Sequence, residues 1–354
     1  MSRQFKPIEE QVIVLTGATS GIGLTTARLL GEKGARLVLA ARNEEALQQL
    51  CSELNHGGES QIRATYAVCD VGNPEQVQKL KEHALQHFGH FDTWINDAGV
   101  SIYGKITQVS LEDQRRLFDT NYWGVVHGSI AAAQHFSQRS APPGRSYPPY
   151  AAIINVGSTV SDRAMPIQGP YSASKHAVKG FTDALRMELE YDKLPVSVTL
   201  IKPAAIDTPY TLHAKNYMDV EPKNPPPVYA PDAVARAIAY ACEHQVRDII
   251  VGGGAKAFNL GEKYTPRLLD KVMEWMVVDQ QKSDRPARDG NQDALYSPGR
   301  DLSERGDYQG HVAESSLYTR ASLHPIVSTV AAGAVLLGAA LTTAAILHAA
   351  TRED

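Results

Sequence analysis

The chain has 354 residues, of which 43 % are hydrophobic and 21 % charged, and its formal net charge is −4. This length suits one large domain with an appendage or two modest domains. The mild negative charge gives no reason to expect a nucleic-acid partner. The three cysteines (Cys51, Cys69 and Cys242) are odd in number and far apart, which argues against a disulfide framework or a metal site. No long apolar run precedes Val12, so we expect no secretory signal and a reducing, cytoplasmic environment.

Short apolar runs alternate with segments of helical periodicity along the first part of the chain. Seven runs predict buried strands, at 12–15, 37–41, 64–68, 93–95, 153–156, 196–201 and 249–251. Six intervening segments predict helices, at 21–33, 44–54, 74–88, 111–136, 171–191 and 231–244. This alternation predicts an α/β fold, a Rossmann-like doubly wound parallel sheet of about seven strands, in a single domain over 8–282.

One insertion interrupts this alternation. Residues 139–150 (RSAPPGRSYPPY) are rich in proline and glycine, so they predict a loop that enters the amino end of the fifth strand. Ligands of open α/β sheets bind at the carboxyl ends of the strands. We therefore expect a surface insertion away from the chemistry or, alternatively, a contact in a homo-oligomer.

The C-terminal part of the sequence differs in composition from the domain. Residues 283–320 contain seven acids and five arginines with little aliphatic material, which predicts a disordered polar linker. Residues 321–351 contain no Asp, Glu, Lys or Arg. As a helix, 326–347 would span about 33 Å, against about 30 Å of bilayer hydrocarbon. We expect a single-pass C-terminal transmembrane helix with the catalytic domain in the cytoplasm; the alternative is a buried helix of a soluble protein.

The turn after the first strand has the pattern of a phosphate-binding loop. The sequence Thr16–Gly23 (TGATSGIG) lies between a predicted strand and a predicted helix. Glycines let the backbone approach a pyrophosphate, and the helix N-terminus supplies free N–H groups and a partial positive charge. The residues expected to bind the cofactor here are Gly17, Ser20, Gly21, Ile22 and Gly23.

The end of the second strand indicates which dinucleotide binds. NAD enzymes place an acid there to hold the ribose 2′-hydroxyl. Here the strand ends with Arg42 and Asn43 and has no carboxylate, and the Arg42 guanidinium can pair with a 2′-phosphate. This pattern favours NADP(H), the alternative being that Arg42 is an ordinary solvated residue at a helix start.

Two polar residues later in the chain form a candidate catalytic pair. Tyr171 and Lys175 are four apart, so they share one face of a helix. A free tyrosine has a pKa near 10. A neighbouring ammonium and a cationic nicotinamide would lower that pKa, which would allow Tyr171 to act as a general acid/base.

Together these motifs resemble the short-chain dehydrogenase/reductase family over roughly residues 10–255. The glycine turn has the family's spacing, and Asn96–Gly99 reads Asn-Asp-Ala-Gly where the family usually has Asn-Asn-Ala-Gly. Pro203–Thr208 resembles the family's Pro-Gly-x-x-x-Thr element, with Ala204 in place of glycine. Asp70, Val71, Asn121, Ser158, Tyr171 and Lys175 follow in the family's order.

The resemblance implies hydride transfer between NADP(H) and an alcohol/carbonyl pair, with Tyr171 as acid/base. It implies that Ser158 binds the substrate oxygen, that Lys175 holds the nicotinamide ribose, and that Asn121 positions a water leading to Lys175. It further implies a set of cofactor contacts from strand ends, made by Asp70, Val71, Asn96, Ala98, Gly99, Pro203, Ile206 and Thr208. A non-catalytic NADP-binding sensor or scaffold is the alternative, and such a protein would be expected to lack Tyr171 or Lys175.

Three loops should line the substrate end, namely 100–106, 159–168 and 205–230. Their larger residues are mostly apolar or aromatic: Ile102, Tyr103, Val160, Met165, Ile167, Tyr210, Leu212 and Tyr217. They fit a lipophilic alcohol or carbonyl compound, or they simply pack the loops together.

Overall fold

Seven parallel strands form the central sheet of this computed structural model, which describes residues 5–55, 62–140, 149–253, 264–288, 293–299 and 301–323. The strands are β1 (Val12–Thr16), β2 (Arg36–Ala41), β3 (Ala64–Val68), β4 (Thr93–Asn96), β5 (Ala151–Val156), β6 (Val196–Pro203) and β7 (Asp248–Val251). Their spatial order is β3-β2-β1-β4-β5-β6-β7. The order reverses direction next to β1, which creates a crevice at the carboxyl ends of β1 and β4. The predicted doubly wound fold is confirmed.

Helices cover both faces of the sheet. They are α1 (Gly21–Glu32), α2 (Glu44–Asn55), α3 (Pro74–Phe88), α4 (Leu111–Phe118), α5 (Gly124–Ser137), α6 (Gly169–Tyr191), α7 (Tyr210–His213), α8 (Pro231–Glu243), α9 (Pro266–Val272), α10 (Val278–Gln280) and α11 (Leu317–Leu323). Short 3-10 helices occupy Ile8–Glu10 and Thr159–Ser161, and π-helical turns occupy Asp119–Trp123 and Met273–Val277. None of the helices within the described ranges is long and apolar enough to cross a membrane. The predicted span 326–347 lies outside those ranges.

Alternate residues of each strand pack against different helix layers. Ile13 and Leu15 of β1 join the cluster that contains Leu24 of α1 and Ile238 of α8. Val12 and Val14 face the opposite side, where α3, α5 and α6 pack. This two-residue period within fully apolar strands is expected for a sheet buried on both faces, and it fixes which strand ends open into the crevice.

The described ends of the 139–150 insertion lie at the amino edge of the sheet. Arg139 pairs with Asp92 at 2.8 Å, and Tyr150 forms a β-bridge with Phe5 next to the start of β5. Residues 141–148 lie outside the described residues. The ends of the insertion are therefore remote from the carboxyl ends of the strands.

The prediction of a disordered linker over 283–320 is wrong for the described part of that segment. Lys282–Pro286 pairs antiparallel with Val220–Pro222, and Val312–Ala313 extends a small parallel sheet beside Val228–Tyr229. Leu295 is completely buried. The composition argument failed because the segment is held mainly by hydrogen bonds and ion pairs to the domain rather than by its own apolar surface. The predicted domain boundary at 282 therefore does not mark the end of the packed structure.

Candidate active site

The glycine turn between β1 and α1 forms one side of the crevice. Gly17 has a left-handed φ of +74°, and a Cβ there would lie 2.8 Å from the backbone of Ala98. A Cβ on Gly23 would lie 2.0 Å from the carbonyl oxygen of Gly17, so α1 begins directly against the turn. Only glycine allows these two backbone approaches without strain. The turn residues that line the crevice are Gly17, Ser20, Gly21 and Ile22.

Tyr171, Lys175 and Ser158 meet at the carboxyl end of β5. Lys175 Nζ lies 5.8 Å from the centre of the Tyr171 ring and donates a hydrogen bond of 2.8 Å to the carbonyl oxygen of Val156. Ser158 follows β5 and caps the short helix Thr159–Ser161, and its hydroxyl hydrogen-bonds with Tyr171. The three side chains line the same part of the crevice.

Electrostatics at Tyr171 differ from the simple expectation. Burial raises the pKa of Tyr171 above its ordinary value, although hydrogen bonds with Tyr210 and Ser158 act in the opposite direction. Burial also lowers the pKa of Lys175 to about 8. The neighbouring ammonium therefore does not outweigh desolvation at Tyr171 in the structure. The phenol is protonated at neutral pH, which is the form that donates a proton to a carbonyl oxygen.

A π-helical turn places Asn121. The sequence predicted one continuous helix over 111–136, but Asp119–Trp123 forms a π turn between α4 and α5. Such turns interrupt the α-helical ladder and often occur at functional sites. Asn121 Oδ1 accepts from the backbone N–H of Val100 at 2.8 Å, and Nδ2 donates to the carbonyl of Val100 and to the hydroxyl of Ser174. These bonds tie α6 to the loop after β4.

Asp97 links the start of α1 to Lys175. Burial raises the pKa of the Asp97 carboxyl to about 7, while the charge of Lys175 and a hydrogen bond from the Gly23 N–H act to lower it. The negative charge of Asp97 in turn raises the pKa of Lys175 and that of Tyr171. The residue that departs from the usual family motif thus influences both groups of the catalytic pair.

The predicted adenosine contacts lie at the ends of β2 and β3. Asp70, Val71 and Arg42 line a cleft together with the glycine turn. The Asp70 carboxylate pairs with Arg116 at 2.5 Å. The Arg42 guanidinium donates to the backbone carbonyls of Ala294, Leu295 and Ser297. Arg42 therefore faces the expected end of the crevice, but it also binds the C-terminal segment, which the sequence did not indicate.

The remaining predicted cofactor residues divide into two groups. Those that line the crevice are Ala98, Gly99, Pro203, Ile206 and Thr208. Asn96 does not bring its side chain there. It is buried between β4, β5 and α5, where it accepts from the indole N–H of Trp94 and donates to Asn155 and Ser129. Asn96 therefore stabilises the sheet where the motif begins rather than lining the crevice.

Two polar residues of the site were missed by sequence reasoning. The Tyr210 hydroxyl donates to Gln168 Oε1 at 2.9 Å and forms a second hydrogen bond of 2.7 Å with the Ser101 hydroxyl. Its ring packs edge-on against Tyr171 at 5.5 Å between centres. Ser101 and Gln168 thus fix Tyr210, and Tyr210 hydrogen-bonds with the catalytic candidate. Nothing in the local sequence identifies Ser101 and Gln168, because their partners come from distant loops.

The substrate end of the crevice combines apolar and aromatic side chains. Tyr103, Val160, Met165 and Tyr210 line it, as expected. Ile102 is instead buried in the strand pair with Lys215, and Tyr217 binds Asp113. Val160 and Met165 also border a second, mostly apolar cleft against the helical segment 266–280, which contributes Met273 and Val277.

Residues 11–217 match the family model described as short chain dehydrogenase. The chain belongs to the short-chain dehydrogenase family. It is 45 % identical over 339 residues to an uncharacterised oxidoreductase, YxnA, of Bacillus subtilis, covering 95 % of this chain and 92 % of that protein. It is 35 % identical to dehydrogenase/reductase SDR family member 7B of Bos taurus, covering 58 % of this chain and 61 % of that protein.

Solved structures of the family share the fold. A 3-ketoacyl-(acyl-carrier-protein) reductase from Brucella melitensis, complexed with NADH, superposes with a TM-score of 0.60 at 26 % identity, covering 70 % of this chain and 99 % of that chain. An alcohol dehydrogenase from Thermococcus sibiricus, complexed with 5-hydroxy-NADP, gives a TM-score of 0.57 at 23 % identity, covering 68 % and 95 %. The chain is thus an oxidoreductase of this family in fold and motif.

Proposed function

We propose that the protein transfers a hydride between NADP(H) and an alcohol/carbonyl pair, with Tyr171 as general acid/base. The observation that carries this proposal is the convergence of Ser158, Tyr171 and Lys175 beside the glycine turn. Asn121 is bonded to Val100, in the loop after β4 that lines the same crevice. Ser158 follows β5, Tyr171 and Lys175 lie on α6, and Asn121 lies in the π-helical turn, so the grouping is a property of the folded crevice rather than of one short motif.

The chain's residues have distinct tasks in this reaction. In reduction, the Tyr171 hydroxyl donates its proton to the carbonyl oxygen while the Ser158 hydroxyl binds that oxygen and stabilises its developing charge. In oxidation, Tyr171 acts as the phenolate and accepts the alcohol proton. Bound NADP(H) supplies or accepts the hydride. Lys175 would support the phenolate electrostatically and would hold the nicotinamide ribose, and Asn121 would position a water that leads to Lys175.

The residues present fit a dinucleotide. Glycines at positions 17 and 23 leave space that a Cβ would fill, and the helix N-terminus favours an anion. Arg42 follows β2, and the sequence has no carboxylate at the end of that strand, which supports NADP(H) over NAD(H). Asp70 and Asp301 line the same cleft as Arg42. The two structural relatives are complexed with NADH and with an NADP derivative, so both dinucleotide types belong in the assay.

A lipophilic substrate suits the apolar end of the crevice. Val160 and Met165 separate Tyr171 from the apolar cleft bordered by Met273 and Val277. Burial of apolar surface there would favour a hydrophobic alcohol or ketone over a phosphorylated one.

The decisive experiment replaces Tyr171 with phenylalanine. Tyr171→Phe should bind NADPH normally and lose about 10²- to 10⁴-fold in turnover, because the proton donor is gone. Purified enzyme would be screened with panels of carbonyls and alcohols while NADPH absorbance is followed. Tyr191→Phe, the same change at an exposed position of α6, is the control. NADPH binding without turnover of any compound in the wild type would indicate a sensor or scaffold instead.

We also propose, from the sequence, that 326–347 anchors the protein in a membrane with the catalytic domain on the cytoplasmic side. The full chain should sediment with membranes, and a chain ending at Leu323 should remain in the supernatant. The shortened chain keeps every described residue, including the packed segment 301–323. Recovery of both forms in the supernatant after lysis without detergent would contradict the anchor.

A further inference from the structure

The C-terminal segment reaches across the adenosine half of the crevice. We call residues 293–299 and 301–303 the roof. Ala294, Pro298, Gly299 and Asp301 of the roof line the same cleft as Arg42 and the glycine turn. The roof therefore contributes atoms to the space where the adenosine part of the proposed dinucleotide would lie, although it follows the matched family region by more than seventy residues.

On one side of the cleft the roof is bonded to the cofactor loops themselves. The Thr19 hydroxyl donates to Asp301 at 2.8 Å, and the Thr19 carbonyl accepts from the N–H of Leu302 at 2.7 Å. The N–H of Gly21 donates to the carbonyl of Ser303 at 2.9 Å. The phosphate-binding turn and the roof thus share a short ladder of hydrogen bonds.

On the other side the roof is bonded to the loops around the substrate end. The Tyr296 hydroxyl donates to Asp113 at 2.7 Å, and Asp293 pairs with Lys215 at 3.3 Å. The backbone N–H of Ala294 donates to the carbonyl of His213 at 2.8 Å. The roof is therefore fastened on both sides of the cleft and bridges it.

Arg42 and Leu295 fix the middle of the roof. Arg42 donates to three roof carbonyls, and Arg116 Nε adds a second donor to the carbonyl of Leu295 at 3.1 Å. The Leu295 side chain is fully buried in the cluster that includes Val100 and Tyr171. A guanidinium has five N–H donors, so Arg42 can hold the roof and still present donors to a 2′-phosphate.

We propose that the roof is part of the dinucleotide site: it encloses the adenosine half and must detach for the cofactor to exchange. This inference rests on the proposed function. The roof is bonded to both sides of the cleft and to Arg42. When it closes over the cofactor, these contacts stabilise the bound state, and they must break before the cofactor dissociates. The roof then slows dissociation of the dinucleotide, and Arg42 makes this effect larger for NADP(H) than for NAD(H).

The test measures cofactor release from the full-length protein. The NADPH complex is mixed with excess NADP⁺, and the fall in NADPH fluorescence gives the dissociation rate. Leu295→Ala should raise that rate about tenfold, since it removes the apolar contact that holds the roof down. Leu323→Ala is the matched control. Leu323 ends α11, outside the roof, and packs against the core cluster that contains Ile13 and Leu24, so its replacement should leave the rate unchanged.

A second, milder substitution tests the roof in case Leu295→Ala destabilises the fold. Tyr296→Phe removes one hydrogen bond from a half-exposed side chain and should raise the release rate about threefold with an unchanged melting temperature. Hydrogen exchange should also show that NADPH protects the backbone amides of 293–299 and 301–303 in the wild type, and less so in Leu295→Ala.

The outcomes separate the two proposals. The wild type could bind NADPH or NADH and yet show no protection of the roof, with Leu295→Ala and Tyr296→Phe releasing the cofactor at the wild-type rate. That result would overturn the proposal about the roof and leave the proposed function standing. Faster release in the Leu323→Ala control to the same extent would also overturn it. Absence of any dinucleotide binding by the wild type would overturn both.

Discussion

The catalytic half of the crevice, around Tyr171, and its adenosine half, around Arg42, are held together in different ways. Lys175 binds the carbonyl of Val156 only 19 residues away, and Asn121 binds Val100 at a separation of 21 residues. Arg42, in contrast, reaches the carbonyl of Leu295 across a separation of 253 residues. These hydrogen bonds of the first half stay within the family domain, although Leu295 also packs in the Tyr171 cluster. The hydrogen bonds of Arg42 reach a segment outside the domain.

This difference has a functional consequence. Buried hydrogen bonds at Lys175 and Asn121 connect elements of the sheet core, so the catalytic half is preorganised. Apart from the buried Leu295, the roof is held mostly by hydrogen bonds and ion pairs of partly buried groups, each of which contributes little to stability. We therefore expect chemistry to depend on the first half and cofactor affinity and exchange on the second.

The largest effect on this comparison should come from Arg42→Ala. That change removes both the proposed contact with the 2′-phosphate and the hydrogen bonds from Arg42 to the roof. The dissociation constant of NADPH should rise roughly 10- to 100-fold, because charge-assisted bonds to phosphate are strong. The dissociation constant of NADH should rise only severalfold, through the roof alone. Fluorescence titration with both cofactors measures the two constants.

Arg116→Ala provides the control for Arg42. Arg116 also donates to the roof at Leu295, but its carboxylate partner is Asp70. We expect it to weaken NADPH and NADH binding by the same factor. Arg42→Ala could instead weaken the binding of NADPH and NADH by the same factor, or the wild-type enzyme could prefer NADH. Either result would show that Arg42 holds the roof but does not determine the preference for NADP(H).

The sequence predicts the catalytic half of the crevice better than the adenosine half. The strand and helix periodicities predicted all seven sheet strands, and the motif spacing predicted that Ser158, Tyr171 and Lys175 converge. Three features could not be predicted. The roof binds mainly through backbone carbonyls, which every residue carries, so its composition concealed the contacts made by Arg42. The π turn at Asn121 covers only five residues, too few to establish a periodicity of their own in the sequence. The Asn96 side chain turns into the sheet because Trp94 and Asn155 satisfy it there.

The smaller test concerns Asp97, a residue of the catalytic half that the sequence marked only as a departure from the usual motif. Its carboxyl pKa is raised to about 7 by burial, so above that pH the group is ionised. The charged groups that face it are Lys175 from α6 and, further away, Tyr171; the Gly23 N–H of α1 donates to it. Because an anion disfavours a second anion and favours a cation nearby, ionised Asp97 holds the pKa values of Tyr171 and Lys175 upward.

Asp97→Asn should therefore move the pH profile of alcohol oxidation toward lower pH. The limb at lower pH reports Lys175, whose pKa of about 8 falls further when the carboxylate no longer stabilises the ammonium. The more alkaline limb reports Tyr171, and it shifts in the same direction because the phenolate forms more easily without the neighbouring carboxylate. The asparagine side-chain oxygen can still accept from Gly23, so folding is preserved. Profiles of kcat/KM against pH measure both limbs. Asp183→Asn, on α6 but paired with Lys179 and Arg186, should leave both limbs in place. An unmoved profile in Asp97→Asn, or a shift toward higher pH, would show that Asp97 does not set the protonation of the catalytic pair.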